Sequence, residues 1–228
     1  MRVSLFFVLF FSINSRSYGW VDIVYGTGQL NDGSSAARSS VDLHYQIIAT
    51  KDYYTSQSIP NVWPAAYIMR PDVRYISPSD SARWISATQD TNGLPIGWYT
   101  FRTNFNLSGY DPSNFQINGY WAMDNSTRGP GMLLNGFDTG NNLDHSTGGE
   151  KFLALYPFSI KTGFITGQNT IDFVVFNGGG PVALLVSMSI PISTVPETSS
   201  MVMAGISILI LFVAGLIRRK KRAIHPIL

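Results

Sequence analysis

Cysteine is absent from all 228 residues. That excludes thiol catalysis and cysteine metal sites, and any extracellular domain here has to be stable without disulfides. Histidine is scarce. His44, His145 and His225 stand far apart, without His-x-x-x-His or a comparable spacing, so they suggest no metal site. There is no Gly-x-Ser-x-Gly nucleophile elbow. The glycines at 26, 28 and 33 in GTGQLNDG are wrongly spaced for a dinucleotide fingerprint, and no helical pattern follows them. No internal repeat occurs at solenoid or propeller periods. Nothing in the sequence reads as catalysis, and none of these motifs calls for a cofactor.

What is present begins at the two ends. Residues 201–217 are seventeen residues without a charge. As a helix they would span about 25 Å, the short end of what a bilayer core requires. Gly205 and Gly215 are costly in a water-soluble helix but common in membrane helices. Arg218, Arg219, Lys220, Lys221 and Arg222 follow directly. Such a cluster stays on the cytoplasmic side, which orients the helix from outside to inside. At the other end Arg2 precedes an apolar stretch over residues 3–11, too short to span. Ser17 and Gly19 supply small residues at −3 and −1 of a signal-peptide cut after Gly19, with Ser15 or Ser17 as alternatives.

These ends change the charge account. Arg2, Arg16, the five tail cations and Glu197 lie outside the body, so residues 20–194 keep 9 basic and 13 acidic side chains, a net charge of −4. The body has no basic cluster, and no nucleic-acid partner is expected. About 175 residues suit one domain with a real core.

The body reads as strands and turns. In WYTFRTNFNL, Tyr99, Phe101, Thr103, Phe105 and Leu107 fall on one face, with Trp98, Thr100, Arg102, Asn104 and Asn106 on the other. Alternation with aromatic and β-branched residues predicts a half-buried strand. Phe115, Ile117 and Trp121 are in phase in FQINGYWAM, as are Ile171, Phe173 and Val175 in NTIDFVVFN. Val182, Leu184, Val186, Met188 and Ile190 share a face in PVALLVSMSI. Asn135-Gly136 after an apolar run predicts a hairpin turn. Further strands are predicted at WVDIVYG and VDLHYQIIA; residues 51–97, with five prolines, should hold long loops and short strands. Many short strands without helices predict an all-β fold, an antiparallel two-sheet sandwich.

Three features invite ligands. DNSTRG, residues 124–129, begins like a calcium loop, but Arg128 takes a ligand position and no glutamate follows at the needed distance, so it reads as a turn. Asp138, Asn142 and Asp144 read as a solvated loop that could offer oxygens to calcium. Of the tryptophans, Trp84 and Trp121 read as core. Trp98 lies on the polar face of its strand, either at an edge or in a second apolar layer, and is the candidate contact for a sugar ring.

The C-terminal layout resembles the PEP-CTERM sorting signal: a Pro-Glu-Pro box, a membrane helix and an arginine-rich tail. Val195, Pro196 and Glu197 match the box, while Thr198 stands where the second proline is usual. This resemblance implies a bacterial export substrate of an exosortase-type processing enzyme. Its route would run through the cytoplasmic membrane to the cell surface or extracellular matrix. RWIS, YTFRTNFNLSGYDPS, GYWAMDN, LLNG, GFITGQNTIDFVVFN and PVALLV are similar to pieces of galactose-binding-like jelly rolls. That resemblance implies a carbohydrate-recognition scaffold and an exopolysaccharide partner; it does not transfer a ligand. The expected organisation is signal peptide 1–19, jelly-roll sandwich 20–190, linker with sorting box 191–200, transmembrane helix 201–217 and basic tail 218–228. A non-catalytic surface or matrix protein is the expected function. A secreted carbohydrate-active hydrolase and a permanently anchored envelope protein remain the alternatives. The net charge of the body points to neutral or mildly cationic sugars.

Overall fold

The computed structural model describes residues 24–190, save 61–63, 71–72, 79, 90–92, 109 and 145–149. The signal peptide, Trp20, Trp63, His145, the sorting box at Val195, Pro196 and Glu197, the transmembrane helix and the basic tail lie outside the described residues. The described residues form ten strands in chain order: β1 (Val41–Asp52), β2 (Ala65–Ile68), β3 (Ile85–Ser86), β4 (Gly97–Asn106), β5 (Ile117–Asp124), β6 (Met132–Leu134), β7 (Phe137–Asp138), β8 (Tyr156–Ile160), β9 (Gln168–Asn177) and β10 (Ala183–Ser189). Among the described residues the only helical turn is a 3-10 turn at Pro112–Asn114.

All ten strands belong to one antiparallel sheet in the order β7-β6-β9-β4-β1-β2-β3-β10-β5-β8. The sheet is curled. Trp121 of β5 and Phe173 of β9 belong to opposite wings of it, yet their rings lie 6.0 Å apart. The concave side is the core. Tyr99, Phe101, Phe105 and Leu107 meet Ile171, Phe173 and Val175 from one wing and Trp121, Met123, Leu184 and Val186 from the other. Each side chain of this kind contributes about 1.5–3 kcal/mol when fully buried. In β4 the alternation read is the alternation observed: Tyr99, Phe101, Thr103 and Phe105 are buried, and Asn104 and Asn106 are exposed.

The hairpin at Asn135-Gly136 is present, with φ of +52° and +83° at the two turn residues. That pair of left-handed residues matches the twist of the flanking strands β6 and β7. The described residues of 51–97 hold the last two residues of β1, the short β2 and β3, and the first residue of β4, as the prolines imply. The strand expected at WVDIVYG is not formed over its described residues 24–26. Their successor Thr27 meets β10 at a single point instead: its N–H donates to the Val186 carbonyl at 2.9 Å, and its Oγ1 accepts from the Val186 N–H at 3.0 Å. The next N–H, that of Gly28, goes to the Asp42 carboxylate, so no ladder can continue.

Several strands are buried on both sides. Outside the second wing, Ala122, Ala183 and Leu185 pack under Met69, Tyr75, Ala82, Trp84 and Phe152. Those residues come from the β2–β3 and β7–β8 connections, which roof this part of the sheet.

Candidate functional site

Trp98 stands on the convex face of the first wing, where β1, β4 and β9 run side by side. The register places Lys51, Trp98 and Phe176 in one row across the three strands. Lys51 reaches this face because of a bulge. Tyr45 and Ile47 point into the core, but the pairing slips between Ile47 and Ala49, so Ile48 is the extra residue. A β-bulge shifts the side-chain phase by one residue. Beyond it Thr50 lies opposite the inward Tyr99, and Lys51 lies opposite Trp98. Gly97 lets the end of β1 come close: a Cβ there would run into the Lys51 carbonyl.

The chain after β1 turns back over the row. Asp52 holds this turn, accepting from the Tyr54 N–H at 3.0 Å, the Thr55 N–H at 2.7 Å and the Thr55 hydroxyl at 2.9 Å. The Thr55 N–H and hydroxyl, with help from the Tyr54 N–H, keep the Asp52 carboxyl below the usual carboxylate range. The Tyr53 N–H donates to the Ile96 carbonyl at 2.9 Å, which ties the turn to the start of β4. Two rings are thereby presented to solvent, Tyr53 at 44% and Tyr54 at 76% exposure. They meet edge-on, 5.1 Å apart at 85°. Tyr53 sits 5.8 Å from Trp98 and 5.8 Å from Phe176. Trp98 and Phe176 meet at 5.1 Å.

Trp98 is therefore in a second aromatic layer, half-buried, and forms the floor of the patch. Its indole N–H is engaged by the Arg128 carbonyl at 3.3 Å. The rings free to lie against a sugar are those of the two tyrosines, which strand alternation does not reach because they follow the strand rather than belong to it. Aromatic rings on a braced turn can stack on the apolar face of a pyranose, and they lose little side-chain entropy in doing so.

The other candidate ligand features make the following contacts within the fold. In DNSTRG, the Ser126 carbonyl and N–H pair with Phe176, and Thr127 exchanges bonds with Leu143. Asp124 accepts a hydrogen bond from the Tyr75 hydroxyl at the roof of the second wing. Burial raises the Asp124 carboxyl above its ordinary range, an effect the Tyr75 bond offsets only in part. Asp138 accepts from the Gly140 N–H at 2.9 Å, closing its own turn. Trp84 and Trp121 are core, each about 1% exposed. A groove of about 330 Å³ runs beside residues 41–46, Pro64, Ala65 and Asn104. Its one carboxylate, Asp42, is occupied by the N–H groups of Gly28, His44 and Tyr45. Burial nonetheless raises Asp42 as well. Asp42 lies at the start of β1 in the first wing and Asp124 at the end of β5 in the second, and each is engaged in its own hydrogen bonds.

Comparison with protein-family models, with curated proteins and with solved structures yields no match. The all-β curled sheet and the open aromatic patch thus stand on the chain's own geometry.

Proposed function

We propose that this chain is an exported, non-catalytic surface or matrix protein whose jelly-roll body holds exopolysaccharide through the patch of Tyr53, Tyr54 and Trp98. The observation that carries the reading is the exposed tyrosine pair on a turn braced by Asp52, seated on a half-buried tryptophan floor. The jelly-roll assignment draws support from the strand path. After β3 the chain alternates between wings: β4 in the first, β5 in the second, β6 and β7 in the first, β8 in the second, β9 in the first and β10 in the second. Delivery rests on the sequence ends, with recognition at Val195, Pro196 and Glu197 by an exosortase-type enzyme and transient membrane anchoring by residues 201–217. A single stacking contact is weak, so retention depends on many copies along one polymer.

The test of binding is retention on the producing cell's own exopolysaccharide, comparing wild type with Tyr54→Ala and Trp98→Ala after melting curves are matched. Loss of retention in Tyr54→Ala at an unchanged melting temperature supports the reading; equal retention of all three proteins removes the patch from it. The test of sorting is mass spectrometry of the native protein. No peptide from Met201 onward is expected, and recovery of the intact tail as the main form favours the permanently anchored alternative.

A further inference from the structure

The body is acidic overall, at a net −4 over residues 20–194, yet two cations against one carboxylate, Asp52, border the aromatic patch. Lys51 Nζ lies 5.6 Å from the Trp98 ring centre. The Arg128 guanidinium lies 4.1 Å from the Phe176 ring and 5.7 Å from that of Tyr53. Both side chains are exposed. Neither is within salt-bridge distance of a carboxylate among the described residues. Arg102, further along the same face, shows the contrast: it is forked onto Asp172 at 2.6 and 2.7 Å. Asp52, the carboxylate next in sequence to Lys51, is turned into its own loop by Tyr54 and Thr55.

The two cations are also held in place. Lys51 is set beside Trp98 by the bulge at Ile48. Arg128 follows the Ser126 and Thr127 anchors, and its carbonyl receives the Trp98 indole N–H. We infer that the polymer bound here is an acidic polysaccharide bearing uronic-acid carboxylates. Its sugar rings lie against Tyr53 and Tyr54, and its carboxylates lie on Lys51 and Arg128. This inference rests on the aromatic-patch reading above. It replaces the neutral or mildly cationic sugar that net charge alone suggests. Distant charges are screened beyond about 8 Å at physiological salt, so the local pair outweighs the acidic remainder of the body. Two cations on an acidic body release few counterions, which disfavours a dense polyphosphate.

The test uses the full chain in non-ionic detergent and two forms of one backbone, polygalacturonate and its fully methyl-esterified derivative, with single-stranded DNA as a third arm. Wild type is expected to bind polygalacturonate about tenfold tighter than the ester, a difference of about 1.4 kcal/mol. Lys51→Gln and Arg128→Gln should each weaken binding to polygalacturonate about threefold to fivefold, as for an exposed ion pair, and leave the ester unaffected. Arg128→Lys should restore most of the loss. Equal binding to both forms, abolished by Tyr54→Ala but untouched by the two glutamine variants, overturns the charge inference and leaves the sugar reading intact. Binding to neither form overturns both. Tighter binding to DNA than to polygalacturonate overturns the uronate assignment. Melting curves of every variant are run first, and the exposed positions of Lys51 and Arg128 make unchanged curves the expectation.

Discussion

Each wing of the sheet carries a second aromatic layer on its convex side, and the two layers have opposite fates. On the second wing Tyr75, Trp84 and Phe152, carried by the connections, form a closed layer over the sheet. The Trp84 indole donates to the Ile76 carbonyl at 2.9 Å, the Ile76 N–H donates to the Phe152 carbonyl at 2.8 Å, and Trp84 is about 1% exposed. On the first wing, among the described residues, one short turn and the Arg128 side chain cover Tyr53 and Trp98 only in part, while Phe176 beneath them is buried. Trp84 is carried by a connection and sealed within its layer, whereas Trp98 projects from β4 and is only half-buried. The difference lies in the loops: the long β2–β3 connection covers its wing, whereas the turn after β1 is tight and leads back to the sheet.

The largest test of this contrast is Trp84→Ala. Truncating a fully buried tryptophan is expected to cost about 3–5 kcal/mol, read from denaturant unfolding. Trp98→Ala should cost about 1 kcal/mol, typical of a partly buried site, while removing glycan retention. Equal losses in the two variants would mean that Trp98 is core and the patch a structural layer. A smaller effect separates the wings by pH. The Asp124 carboxyl under the roof holds its proton to a higher pH in the folded chain than at the ordinary value of 3.8. Its contribution to stability is therefore full below 3.8 and lost as pH rises through the folded value. Asp124→Asn keeps an acceptor for Tyr75 and has no such loss, so its melting temperature should overtake that of wild type as pH rises from about 3.5 to 7. A constant gap between the two curves would show that the carboxyl does not titrate differently on folding. Smallest of all, Tyr54→Ala should change stability by less than about 0.5 kcal/mol, since its ring lies mostly in water.

Much of the concave side was legible in the alternation of residues. Phe101, Phe105, Trp121, Phe173, Val175, Leu184 and Val186 are the core that the pattern predicts. Trp98 was legible as an exception to its strand's polar phase. Its surroundings were not, because Tyr53, Arg128 and Phe176 come from three separated segments and the bulge at Ile48 reverses the phase that would otherwise turn Lys51 inward. The second layer was hidden for a related reason. Alternation assigns Leu185 and Phe176 to an outer face, and only the fold reveals what packs there. Asp172 reads as an outer polar residue but is buried against Arg102, so its removal should matter more than surface position implies.

The place of β10 bears on how the molecule carries load. It lies inside the sheet, flanked by β5 along seven residue pairs on one side and by β3 and the Thr27 staple on the other. Tension applied to the chain beyond Ser189 therefore enters an interior strand. It has to strain the β5 ladder and the Thr27 staple together rather than peel an edge strand away pair by pair. A body pulled through that end while its aromatic patch grips a polymer would transmit force across the middle of its sheet, and would yield as one unit rather than unravel from the end.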